Sequence, residues 1–336
     1  MSLFEKFEDP AFEEGKIDLK KTGETKALFI NQEDVVNERY TKEWQKINFD
    51  TTLLEVCKKY PEFSEKIVRS LETPQLGEHH NEGPTMKSHL SLILMTLEEI
   101  KDGKFPESIQ DANLKEIIQN ITVKRDEDNP KKNIINPELI DYTFFHDIAK
   151  PDCLTLKIEE EKGGIEITND QWTEIEKKGR PYRYNDKLIT SISYFHSSEG
   201  SSGRHGNKAA EMLKDKGVAP EIIIAISKHE TAYQFSKINA ATYEEHFTKS
   251  GFSENQQKFI LVTSYIDTMA TLGSDGKPNL SNFNNLIKSR DNFLLIKQYT
   301  DKGIIFRDNE LTALKKQNKV LTTEDVEKII PLGEKR

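Results

Sequence analysis

His89, His146, Asp147, His205, His229 and Asp267 are spread over the middle of the chain, and each falls on the apolar stripe of a helical repeat, with His146 and Asp147 adjacent. One histidine on an apolar face is ordinarily a hydrogen-bonded core residue. Four imidazoles and two carboxylates turned inward together are a different case, because buried carboxylates without counter-charge are costly. Such a set suits one or two divalent ions: neutral imidazole and carboxylate are borderline-to-hard ligands for manganese, iron, cobalt, nickel or zinc, with magnesium also within their range. A natural division gives His89, His146, Asp147 and Asp267 to one ion and His205 and His229 to a second, with Asp147 bridging. Paired cations generate a hydroxide nucleophile at neutral pH and neutralise charge growing on a phosphoryl group. Lys150, one turn beyond His146 and Asp147, is placed to bind a phosphate oxygen as a point charge. Arg204, next to His205, is a second candidate for phosphate contact, so Lys150, Arg204 and Asp147 are the expected catalytic groups. His196, at the head of the loop Ser197-Ser198-Glu199-Gly200-Ser201-Ser202-Gly203, is a candidate substrate contact or general acid.

Five helices must bring these residues to one point. Over residues 85–100, Met86, His89, Leu90, Ile93, Leu97 and Ile100 recur at spacings of three and four. Asn136 is a helix cap, Pro137 suits the first helical position, and Pro151 ends the run that carries His146 and Asp147. Residues 205–213 and 220–233 read as two more helices, the second placing Ile222, Ala225, Ile226, His229 and Tyr233 on one side. Residues 255–272 group Ile260, Thr263, Asp267 and Thr271.

The chain resembles, at these positions, the HD-domain superfamily of metal-dependent phosphohydrolases, whose ligands run in the order H, HD, H, H, D. The stretches Pro61-Glu62-Phe63, Thr73-Pro74-Gln75 and His80-Asn81-Glu82-Gly83-Pro84-Thr85-Met86-Lys87-Ser88-His89-Leu90 look like the opening of the HD domain of bacterial tRNA nucleotidyltransferases and poly(A) polymerases. His146-Asp147-Ile148-Ala149-Lys150-Pro151 and His205-Gly206-Asn207-Lys208-Ala209-Ala210-Glu211 resemble its next two blocks, although Ala149 stands where that subgroup usually has glycine. The resemblance implies a mainly α fold built on an HD-domain helical core, to which the residue pattern described below adds a β-hairpin insertion and N- and C-terminal extensions. It implies hydrolysis of a phosphate mono- or diester of a nucleotide or RNA end, as by a 2',3'-cyclic phosphodiesterase or nucleotidase. His80 and Glu82 fall in a family block and are expected to shape the pocket, His80 as a substrate contact. The first fifty residues carry no Gly-Ser followed by an alternating Asp pair, so tRNA tailing is not expected. Two other readings remain: a di-iron oxygenase, since some HD relatives use the same ligands for oxygen chemistry, and a non-catalytic nucleotide-sensing module.

Around this centre, residues 1–50 read as a charged N-terminal arm with scattered Phe4, Phe7, Phe12, Phe29 and Ile30, packing on the body or on a second copy in a homo-oligomer. The HD domain is expected over residues 51–272, with insertions at about 101–136 and 152–200, and a C-terminal helical extension over 273–336. The first insertion, with a helix over 111–122, is expected to be a surface excursion. In the second, Leu154, Leu156 and Ile158 alternate, Gly163-Gly164 gives a turn, Ile165 and Ile167 resume the alternation, and residues 188–195 form a further strand; it can wall the site. The 336 residues, 35% hydrophobic and 31% charged, suit a soluble body, and no apolar run approaches a membrane span. Two cysteines point to a reducing cytoplasm. A net charge of -9 argues against broad duplex nucleic-acid binding.

Overall fold

The computed structural model describes residues 48–75, 82–83, 85–158, 163–179, 181–273 and 275–330, and is mainly helical. Nearly all of the N-terminal arm, and His80, lie outside the described residues. Helix α1 (Phe49–Lys59) begins at Asn48, whose side chain accepts the Thr51 N–H, slightly before the start the apolar pattern predicts. After a 3-10 turn (Pro61–Phe63) come α2 (Ser64–Leu71), α3 (Met86–Lys101) and α4 (Ala112–Thr122). The antiparallel ribbon β1 (Val123–Arg125) and β2 (Asn133–Ile135) then leads into α5 (Pro137–Phe145). Asn136 caps α5 by accepting the Glu138 N–H, as the sequence suggests. The helix stops at Phe145, however, so His146 is its cap and Asp147 lies in the turn beyond.

Strands β3 (Leu154–Ile158) and β4 (Gly164–Glu166) pair antiparallel, and helix α6 (Asn169–Glu176) follows. β5 (Arg183–Tyr184) and β6 (Lys187–Tyr194) complete a four-stranded sheet in the order β4-β3-β6-β5. Asn185 and Asp186 join the last two strands with φ of 48° and 65°, the left-handed pair that a two-residue hairpin turn requires. Alternation does not reveal α6; its signal is the reciprocal cap between Thr168 and Gln171. Trp172 and Ile175 of α6 pack with Leu154, Leu156, Ile189 and Ile192 as a small core separate from the main one.

The remaining helices are α7 (His205–Leu213), α8 (Pro220–Lys228), α9 (Ala240–Tyr243), α10 (Glu254–Ala270), α11 (Ser281–Asp301), α12 (Asp308–Lys315) and α13 (Thr323–Glu327). The single helix expected over 220–233 is broken: α8 ends at Lys228 and the chain tightens into a 3-10 turn (His229–Gln234). α3 and α10 form the centre and pack on each other; both are buried nearly all round in their inner turns, the pattern of helices enclosed on every side. α4 packs against both, burying Leu114 and Ile118, so the stretch expected as a surface excursion supplies some of the main core. The C-terminal segment joins that core as well, through Phe283, Leu286, Phe293, Ile296, Leu314 and Val326. α1 grips α5: the Phe49 and Phe144 rings lie 5.5 Å apart, while Lys59 and the Tyr60 hydroxyl both donate to the buried Asp141 carboxylate, at 2.6 and 2.9 Å. This fixes the end of α5, from which His146 projects. Among the described residues no helix is long and apolar enough to cross a membrane.

Candidate metal centre

All six residues proposed as ligands are buried, and they converge. His89 Nε2 lies 3.0 Å from Asp267 Oδ1 and 3.9 Å from Asp147 Oδ2. His146 Nε2 is 3.0 Å from Asp147 Oδ2 and 3.8 Å from Asp267 Oδ1. On the other side of Asp147, Oδ1 is 3.1 Å from His205 Nε2 and 3.7 Å from His229 Nε2, and the two Nε2 atoms are 2.9 Å apart. Two groups of candidate ligand atoms result, His89-His146-Asp147 and Asp147-His205-His229, each lying within 4.8 Å and sharing the Asp147 carboxylate.

How the chain aims these rings is a matter of helix ends. Four of the six residues stand there rather than in mid-helix: His146 caps α5, Asp147 follows it, His205 opens α7, and His229 opens the turn after α8. The last turns of a helix hold carbonyls short of N–H partners. His146 Nδ1 meets the Thr143 carbonyl at 3.0 Å and His229 Nδ1 the Ile226 carbonyl at 2.7 Å, the same three-residue reach back in both. His205 Nδ1 is held by Tyr194 O at the end of β6, at 3.0 Å, and His89 Nδ1 by Ala270 O at the end of α10, at 3.3 Å. A carbonyl only accepts, so each Nδ1 carries a proton, and Nε2 is the nitrogen that offers a lone pair inward once the ring is neutral, the tautomer a metal ligand needs. Gly206 makes room for one of these rings: a Cβ there would stand 2.8 Å from His229 Cε1 and 2.9 Å from Ile226 O.

The donor set fits a cation. Although His146 Nε2 and Asp147 Oδ1 have neighbours near 3 Å, those approaches are not aligned as hydrogen bonds, and both atoms are buried without a hydrogen-bonding partner. Lone pairs crowded at such distances call for positive charge between them. Burial opposes ionisation of Asp147, yet the neighbouring His146 and Lys150 hold its carboxyl well below the ordinary range. Burial likewise opposes ionisation of Asp267, and His89 beside it brings the carboxyl down to about 2. His89 itself, despite burial, is carried up to about 10 by Asp267 and Glu82.

The centre opens into a cavity of about 250 Å³ whose wall includes Lys150, Tyr194, Glu230, Tyr233, Asn279 and Asn282. Lys150 Nζ is 2.9 Å from Asp147 Oδ2 and 4.5 Å from the centre of the Tyr194 ring. Tyr233 Oη is 3.5 Å from Asp267 Oδ2 and 3.2 Å from Thr271 Oγ1. Burial disfavours charge on Glu230, but His205, His229, Arg204 and Lys150 hold its carboxyl below the usual value. Two expected site residues stand apart. Arg204 is half-exposed, outside the cavity wall, with its guanidinium 3.5 Å from Glu230 Oε2 and 5.2 Å from the Phe195 ring. It reaches the site only through Glu230. His196 is a strut: Nε2 lies 3.1 Å from Leu154 O and Nδ1 3.5 Å from Glu199. Glu230, Tyr194, Asn279 and Asn282 are wall residues that sequence reasoning missed; only Glu230, directly after His229, carried a positional hint. No family model, curated protein or solved structure matches this chain.

Proposed function

We propose that the protein is a metal-dependent phosphohydrolase of the HD type, cleaving a phosphate mono- or diester of a nucleotide or an RNA end. A 2',3'-cyclic phosphodiesterase or nucleotidase is the form we favour. The observation that carries this reading is Asp147: one buried carboxylate shared by two imidazole pairs, with Lys150 Nζ 2.9 Å away and facing the cavity. His89, His146, Asp147 and Asp267 would hold one divalent ion, and His205 and His229 with Asp147 a second; manganese, iron, cobalt, nickel, zinc or magnesium are the candidates. Bound ions of this kind supply Lewis acidity and lower the pKa of water.

The chain's own groups do the rest. Lys150 places an ammonium beside the shared carboxylate, where it can meet a non-bridging phosphate oxygen as a point charge. Glu230, kept ionised, is the wall carboxylate left over from ligation and accepts a proton from attacking water. The cavity, about 250 Å³, is below the roughly 300–1,000 Å³ of pockets that enclose a whole small molecule. That suits a phosphate end taken in with a portion of its sugar while the remainder stays outside. Oxygen chemistry or passive nucleotide sensing would leave Lys150 without a task. The reducing cytoplasm is the compartment we favour, where Cys57 and Cys153 stay free thiols.

The test is phosphate release by purified protein loaded in turn with each metal, on cyclic nucleotides, nucleoside monophosphates, RNA termini and an aryl phosphate. Turnover that vanishes on chelation is expected; inactivity across all metals and substrates would overturn the reading.

A further inference from the structure

Among the four imidazoles, His89 is held differently. His146, His205 and His229 each place Nδ1 within 3.0 Å of a backbone carbonyl. The carbonyl at His89, that of Ala270, is farther away at 3.3 Å, and a carboxylate faces the same nitrogen: Glu82 Oε1 is 3.5 Å from His89 Nδ1. The Glu82 side chain is fully buried, and its other oxygen accepts the Leu272 N–H at 3.3 Å. It thus ties the ring on α3 to the chain just beyond α10, the helix that carries Asp267.

We infer that Glu82 is a positioning residue that makes the two halves of the centre unequal, so that the first divalent ion goes to His89-His146-Asp147-Asp267 and the second to Asp147-His205-His229. This rests on the metal-centre reading above. A carboxylate behind an imidazole fixes the Nδ1–H tautomer, restrains ring rotation and makes Nε2 a stronger donor, and loss of such a partner typically lowers metal affinity about 10–100-fold. A backbone carbonyl, carrying no net charge, gives less of the last effect. The second half has only carbonyls behind its rings, and an ion entering it must also separate a pair of Nε2 atoms that stand 2.9 Å apart. The first half has two carboxylates, Asp147 and Asp267, within 4 Å of its Nε2 atoms, the second half only one.

Metal-stripped full-length protein titrated with cobalt(II), followed by calorimetry and visible absorption, tests this. Wild type should show a tight and a weaker step. Glu82→Gln should weaken the tight step about 10–100-fold and shift its absorption band while leaving the weaker step unchanged. Glu82→Asp should recover some of the loss, and His205→Ala should remove the weaker step alone. An unchanged tight step in Glu82→Gln, or equal weakening of both steps, would overturn the inference with the metal centre intact. Wild type that binds no cobalt would overturn both. If Glu82→Gln does not fold, ¹⁵N-edited NMR of the wild type decides: the His89 Nδ1 proton should resonate farthest downfield of the four, and its grouping with the other three would overturn the assignment.

Discussion

His205 Nε2 and His229 Nε2 face each other at 2.9 Å while both rings keep Nδ1 on a backbone carbonyl, so in the neutral state two lone pairs would oppose each other across the gap. Without metal, a proton resolves the conflict. Burial opposes it, but Asp147 and Glu230 raise the affinity of His205 for that proton, while burial and the resulting charge on His205 lower that of His229.

A divalent ion entering this half of the centre must displace that proton. Calorimetric titration with zinc or manganese near neutral pH, repeated in buffers of different ionisation enthalpy, is expected to show proton release. The loaded protein gains about 2.7 kcal/mol of stability at free metal about a hundredfold above Kd, read as a higher Tm that chelation reverses. Binding without proton release would count against the proton-sharing pair.

Gly206→Ala should strike the same half without touching a ligand. The added Cβ would press on His229 Cε1 and on Ile226 O, both under 3 Å away, and helix backbone on one side leaves the ring to move. Overpacking of this kind costs about 1–3 kcal/mol. The expected result is loss of the second ion and of turnover, with the first ion retained, as measured by elemental analysis. Retention of both ions would show that the ring has slack that the geometry denies.

Much of this site was readable from spacing because His89 and Asp267 lie inside long periodic helices, α3 and α10, whose inward faces are set by packing alone. His146 and His229 were found for the right face but the wrong element. Three-residue periodicity continues smoothly through a helix and the tighter turn that ends it, so the break at Phe145 or Lys228 leaves no mark in the apolar pattern. Arg204 and His196 lie off the cavity wall for a different reason: adjacency to a ligand in sequence says nothing about direction when the chain is extended, as Arg204 is at φ -74° and ψ 130°. Asn282 lies in the first turn of α11 and Asn279 just before that helix, whose docking on the core depends on contacts that no local pattern encodes.

Because Asp147 belongs to both ligand groups and Asp267 contacts only the rings of the first, their removal should differ. Asp147→Asn should empty both halves; Asp267→Asn should empty the first and leave residual binding in the second. Asp147→Asn also leaves the buried Lys150 ammonium without its counter-charge, a loss of about 3–5 kcal/mol in the metal-free protein. Metal content of each dialysed variant, with urea unfolding of the metal-free forms, checks both statements. Equal metal loss in the two variants would refute the bridging role of Asp147.

Lys150→Ala should keep both ions and lose rate. Its ammonium touches no other candidate ligand than Asp147, whose charge would then be carried by the metals. Removing one charge-stabilising donor at a reacting centre costs about 10²–10³ in kcat. Steady-state kinetics beside elemental analysis is the measurement, and wild-type turnover would remove the residue from the mechanism.

Cys153 links the site to the sheet: its N–H donates to Lys150 O at 3.0 Å, and its side chain sits in the small core below β3. Burial pushes the thiol up from 9.0 to about 11, with the charge of Lys208 opposing the rise. In the unfolded chain the thiol ionises near its ordinary value, so between about pH 9 and 11 the unfolded state has given up a proton that the folded state still holds. Stability therefore has its full value below that window and falls as pH rises through it, by up to about 2–3 kcal/mol across the whole window. Urea unfolding of wild type and Cys153→Ala at intervals from pH 8 to 11 should give curves that converge as pH rises, because the variant lacks this titration. At pH 8 the folded protein should resist iodoacetamide at Cys153 and react once unfolded. Parallel pH curves, or rapid alkylation of the folded protein, would mean that the thiol is reached by water and that the turn carrying Lys150 opens far more readily than its packing implies.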